Sequence, residues 1–175
     1  MEITLKRRGV VIICGPTTTG KSGVASRICK QCKKNSIKFE LISYDDISFS
    51  KRKVVDRIFK FQTEIKKAIA NLGERSLIVI EVPFVQNEQL SSLMAAVRIL
   101  GGPKLQITLL EMNLNFELHI NFWKNRVRGE KPSLRALKKE RALFEKVLET
   151  KEYAHFAYVY VLNEPNVECR FIGES

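Results

Sequence analysis

Gly15-Pro16-Thr17-Thr18-Thr19-Gly20-Lys21-Ser22 fits the pattern G-x-x-x-x-G-K-[ST] without a mismatch. Each position in that pattern has a physical reason. Gly15 and Gly20 allow backbone angles that a Cβ hinders, so successive N–H groups turn inward around a phosphate. Thr17, Thr18 and Thr19 belong to the same cradle, and Gly23 follows it inside the helix that the loop opens. That helix aims its dipole and its unpaired N–H groups at an anion. Lys21 is expected to reach the β- and γ-phosphates of a nucleotide, and the Ser22 hydroxyl to ligate Mg²⁺. The apolar run Val10-Val11-Ile12-Ile13-Cys14 just before the loop supplies the strand–loop–helix context that the motif requires.

Phosphoryl chemistry also needs a carboxylate to orient or deprotonate an acceptor, and cations to hold the phosphates. Ser43-Tyr44-Asp45-Asp46 places two carboxylates where a second strand should end. Asp45 is the expected base; Asp46 reads as an N-cap. Ile80-Glu81-Val82-Pro83-Phe84 ends a third apolar run, and Glu81 there resembles the acidic position that holds Mg²⁺ through water. Asn125-Arg126-Val127-Arg128-Gly129-Glu130-Lys131-Pro132-Ser133 then carries two arginines beside Gly and Pro breakers. Arg126 and Arg128 suit a small helical lid over about 124–135, because guanidinium groups bind phosphate oxygens bidentately.

The elements that must position these groups alternate between strand-like and helical patterns. Strands are expected at 10–14, 39–43, 77–80, 105–112 and 157–162. Helices are expected at 21–34, about 52–72, 87–99, 114–127 and 134–152. Val54, Ile58, Phe61, Ile65, Ile69 and Leu72 recur every three or four residues, with Gly73 as the C-cap. Gly101-Gly102-Pro103 breaks the next helix. This alternation signals a parallel sheet with crossover helices, in one domain over 1–175.

Composition narrows the partners. A net charge of +11 favours polyanions such as nucleotides, phosphorylated metabolites and nucleic acid. Residues 124–141 alone hold eight Lys and Arg against two Glu. No stretch is long and apolar enough for a membrane span, so the expected compartment is the cytoplasm. Cys29 and Cys32 form a C-x-x-C inside a helical pattern, and are expected to be ordinary thiols.

Taken together, the loop, Asp45, Glu81 and the lid arginines resemble the small P-loop kinase superfamily. The resemblance implies an α/β P-loop NTPase sandwich of three layers, with a five-stranded parallel sheet in the order 2-3-1-4-5. It also implies ATP with Mg²⁺ and transfer of the γ-phosphoryl group to a hydroxyl or phosphate acceptor. The first half looks like the chloramphenicol phosphotransferase, zeta-toxin and polynucleotide kinase type, with Asp45 at the matching place. The segment Arg126 to Asn163 is similar to guanylate kinase, although residues 47–60 depart from that family's nucleobase-binding insertion. Two readings stand beside the kinase. Gly-Pro-Thr-x-x-Gly-Lys-Ser with Ser43 and Asp45 is also typical of tRNA and adenylate dimethylallyltransferases. A non-catalytic module binding ATP or nucleic acid is the other.

Overall fold

The computed structural model describes residues 1–50, 53–127 and 131–173. Its centre is β2 (Gly9–Cys14), six residues all buried. Alternate side chains of β2 enter two different cores, as the two-residue period of a strand requires. Val10, Ile12 and Cys14 enter one, Val11 and Ile13 the other. Each aliphatic side chain so buried contributes about 1.5–3 kcal/mol.

Around it lie β3 (Lys38–Ser43), β4 (Ser76–Glu81), β5 (Gln106–Met112) and β6 (Tyr158–Leu162). All pairings in this sheet are parallel, in the order β3-β4-β2-β5-β6. That is the expected order 2-3-1-4-5, with each number raised by one because a strand precedes it. The preceding strand is β1 (Glu2–Lys6), which pairs in parallel with β7 (Glu168–Ile172) in a separate two-stranded sheet. Neither was expected from the sequence.

Helices cover both faces and complete three layers. α1 (Lys21–Lys34) packs on one face together with β1 and β7. α3 (Val54–Ala70), α4 (Asn87–Gly101) and α6 (Leu134–Thr150) contribute to the core of the other face. A seven-residue α2 (Tyr44–Ser50) follows β3 directly, and α5 (Phe116–Lys124) is shorter than its apolar pattern suggested.

Two caps differ from expectation. α3 ends at Ala70 with Asn71 as its C-cap, so Gly73 lies beyond the helix instead of closing it. At the start of α2, Ser43 Oγ accepts the Asp46 N–H at 3.4 Å, so Asp46 sits inside the first turn rather than capping it. Gly102 does end α4, and takes the left-handed φ of 77° that glycine tolerates best. Cys29 and Cys32 face inward from α1 as free buried thiols, and burial pushes Cys32 up to about 12. Among the described residues, no helix is long and apolar enough to cross a membrane.

Candidate active site

A parallel sheet gathers all its carboxyl ends at one edge, and there the sequence candidates meet. A cavity of about 700 Å³ is lined by Thr17, Thr18, Thr19, Gly20, Lys21 and Ser22, with Asp45, Glu81 and Arg126 across from them. β4 delivers Glu81 beside Ile13 of β2 and Ser43 of β3, at the last paired positions of the strands. The first turn of α2 delivers Asp45. The end of α5 delivers Asn125 and Arg126. Arg128 lies outside the described residues.

The loop between β2 and α1 is strained and tightly tied. Gly15 has φ +140°, and an added Cβ there would stand 2.9 Å from Met112 Cβ and 3.0 Å from Met112 O. Gly20 has φ +83° and acts as the N-cap of α1. Thr18 also takes a left-handed φ of 64°, which is uncommon for a β-branched residue and typical of strain kept at functional sites. Thr19 Oγ1 donates to Pro16 O at 2.9 Å, and Lys21 Nζ donates to Gly15 O at 3.0 Å and Pro16 O at 2.8 Å. Gly23 stands in α1 with open space where a Cβ would go, so no packing demand explains a glycine there.

Charge in this pocket is concentrated and shielded from water. Lys21 and Glu81 are each only 5% exposed. Burial lowers the Lys21 ammonium, while Asp45, Glu81 and Glu140 pull it back up. Burial raises the Glu81 carboxyl, and the Ser22 hydroxyl and Lys21 partly offset that rise. Ser22 Oγ donates to Glu81 Oε1 at 2.6 Å. A serine hydroxyl touching a carboxylate at the mouth of a phosphate loop is a hard oxygen donor set, the kind Mg²⁺ takes. The residues present therefore fit the ion.

Sequence reasoning missed the residues that hold the loop from outside. Thr17 is gripped at both backbone groups: its N–H donates to Glu140 Oε2 at 2.8 Å, and its carbonyl meets His119 Nε2 at 2.7 Å. Since a carbonyl only accepts, Nε2 carries the proton. Burial lowers the His119 imidazole, which favours this neutral form. Nothing in the spacing of His119 on α5 and Glu140 on α6 marks them as partners of a loop more than 100 positions earlier. Phe122 approaches Gly20 and lines the cavity, as does Val127.

A second cavity of about 560 Å³ lies between α3 and α4. Tyr44, Phe61 and Phe84 wall it with edge-to-face contacts at 5.2 and 5.6 Å from Tyr44. It lacks the loop amides that line the first cavity.

No family profile matches the chain, and no curated protein matches its sequence. Solved structures do resemble it. A gluconokinase from Sinorhizobium meliloti 1021 aligns with a TM-score of 0.55 and 15% identity, over 92% of this chain and 86% of that one. Kti12 from Chaetomium thermophilum, in complex with ADP-AlF3, gives 0.60 at 10% identity, over 87% of this chain and 88% of that one. A chain of the Pnkp1/Rnl/Hen1 RNA repair complex gives 0.64 at 15% identity over 81% of this chain. Only 46% of that chain is covered, so this protein spans less than half its length. Likeness at these identities speaks to architecture: the chain has a P-loop kinase-like fold.

Proposed function

We propose that this protein is an ATP-dependent kinase that moves the γ-phosphoryl group to a hydroxyl or phosphate acceptor. The observation that carries the reading is the meeting of loop, Asp45, Glu81 and Arg126 around one cavity at the carboxyl edge of a kinase-like sheet. The loop amides from Thr18 to Ser22 would hold the β- and γ-phosphates, helped by the N-terminus of α1. Lys21 Nζ would leave the Gly15 and Pro16 carbonyls for the phosphate oxygens, which carry full negative charge. Ser22 and Glu81 would hold Mg²⁺, directly and through water respectively. When bound, the ion neutralises charge on the β- and γ-phosphates.

For a hydroxyl acceptor, Asp45 would orient the attacking oxygen and take its proton. The new bond joins that oxygen to the γ-phosphorus. The bond from γ-phosphorus to the bridging oxygen breaks, and its electron pair leaves with ADP. Arg126, and Arg128 with it, would close over the phosphates as a lid. A phosphate acceptor needs no deprotonation, so Asp45 would then serve only to orient it.

The test is transfer of label from γ-labelled ATP to a panel of nucleosides, nucleotides, 5′-hydroxyl oligonucleotides and sugar phosphates. Lys21→Ala and Asp45→Asn should each lower turnover on the best acceptor by at least ~100-fold. Full activity of Asp45→Asn on a hydroxyl acceptor would overturn its role as base. ATP binding with no transfer to any class would favour a binding module instead.

A further inference from the structure

Because the main sheet is parallel, all its strands begin at the edge opposite the candidate active site. Lys38 pairs with Ser76, and Gly9 pairs with both Leu77 and Gln106. Lys38, Arg75, Arg8 and Lys104 therefore stand at or just before the starts of four adjacent strands, β3, β4, β2 and β5. With strands about 4.8 Å apart, the row is about 15 Å long. Arg7 and Lys34 flank it: the Arg7 N–H donates to Ile172 O, and Lys34 ends α1 just before the turn into β3.

Of these six side chains Arg8 is half-buried and the other five are exposed. Among the described residues, none of the six is held in an ion pair. Glu74 is the carboxylate next in sequence to the row. Arg75 donates to Asn35 O at 3.0 Å, which leaves most of its five donors for other partners. A cation in the last turn of a helix complements the helix dipole, and that accounts for Lys34. It does not account for four cations heading neighbouring strands.

We propose that this amino edge is a docking surface for the backbone of a nucleic acid. A row of about 15 Å spans about four nucleotides at ~3.4 Å of axis each. The sheet fixes the backbone spacing of the cations, so little backbone freedom is lost when a regular polyanion lies along them. Asn35, Ser36 and Asn71 are exposed among the cations and offer the amide and hydroxyl donors that contact phosphate and sugar. Such contacts set position and affinity without reading sequence. The proposal stands apart from the kinase reading, since it uses none of the cavity residues.

Its test is fluorescence anisotropy of a labelled single-stranded oligonucleotide of about 30 nucleotides, titrated between about 50 and 200 mM salt. The variant combines Arg7→Gln, Lys34→Gln, Lys38→Gln and Lys104→Gln, leaving the hydrogen-bonded Arg75 and half-buried Arg8 in place. Affinity at the lowest salt should fall at least about tenfold, and the log–log salt slope should flatten by about 3, at ~0.7 per lost contact. Thermal unfolding and ATP binding of the variant should be unchanged, and Lys21→Ala should bind the oligonucleotide normally. Failure of the unmodified protein to bind, or unchanged binding by the fourfold variant, would overturn the proposal. So would loss of binding in Lys21→Ala, which would move the nucleic acid to the cavity. Binding to phosphatidylserine vesicles without binding the oligonucleotide would assign the edge to a membrane and overturn it equally.

Discussion

At Glu81, fold stability pulls against the proposed role in holding Mg²⁺. Its carboxyl is raised in the fold, chiefly by burial, so the folded chain keeps that proton to a higher pH than the unfolded chain does. The stabilisation from the protonated form is full below the ordinary carboxylate range and fades as pH rises through the raised value. At neutral pH an ionised Glu81 is thus a cost, which a bound cation would repay. Glu81→Gln keeps an acceptor for the Ser22 hydroxyl and removes the charge. Its Tm should exceed the unmodified protein's by about 2–4 °C near pH 8, a gain of about 1 kcal/mol, and the two should converge near pH 4. The same variant should bind Mg²⁺·ATP about tenfold more weakly, the lower end of losses at metal sites. A parallel pair of Tm curves across that range would refute the electrostatic account. That Asp45 and Glu81 would stand at the cavity was readable in the sequence, because each follows an apolar strand and parallel strands end at one edge. His119 and Glu140 were not, because their role is to hold two backbone atoms of Thr17, and backbone atoms leave no signature in the residue types around them.

Among the elements, the junction of β5 with the segment after α6 is the most exacting. Glu111 lies opposite Cys14 in the β2–β5 register, wholly buried, and accepts the Tyr153 hydroxyl at Oε1. Its Oε2 has no partner among the described residues. Tyr153→Phe would strip the remaining bond from a buried carboxyl and should cost about 1–3 kcal/mol in urea unfolding. Replacing both, Glu111→Leu with Tyr153→Phe, should recover much of that loss, because no desolvated acceptor would remain. A double variant less stable than Tyr153→Phe alone would contradict this. The long helices were legible because four or more turns repeat one apolar stripe, and α1 begins and ends where its pattern does. α2 was not, since Tyr-Asp-Asp-Ile-Ser-Phe-Ser holds too few turns for a stripe and several residues that disfavour helix interiors. β1 alternates polar and apolar residues over only five positions, and β7 over only four. Such a fragment gains meaning only from its partner, and here the partners lie at opposite ends of the described chain.

At the scale of the whole molecule, that strand pair closes the fold. Ile3 and Leu5 are 0% and 1% exposed, with Cys169 and Phe171 packed against the same core. Ending the chain before Glu168 would uncover those two side chains, worth about 1.5–3 kcal/mol each. Calorimetry of the truncated protein should read a fall in Tm on the order of 10 °C; a fall of a degree or two would mean that β7 only decorates the edge. The pair also has a consequence in time. Ribosomes make about 5–20 residues each second, and β7 starts 162 positions after β1 ends. The newborn β1, with its apolar face, thus waits on the order of ten to thirty seconds for its partner. During synthesis it is an open edge available to other chains. A circular permutant that joins the end of β7 to the start of β1 would present both strands within one short stretch of translation.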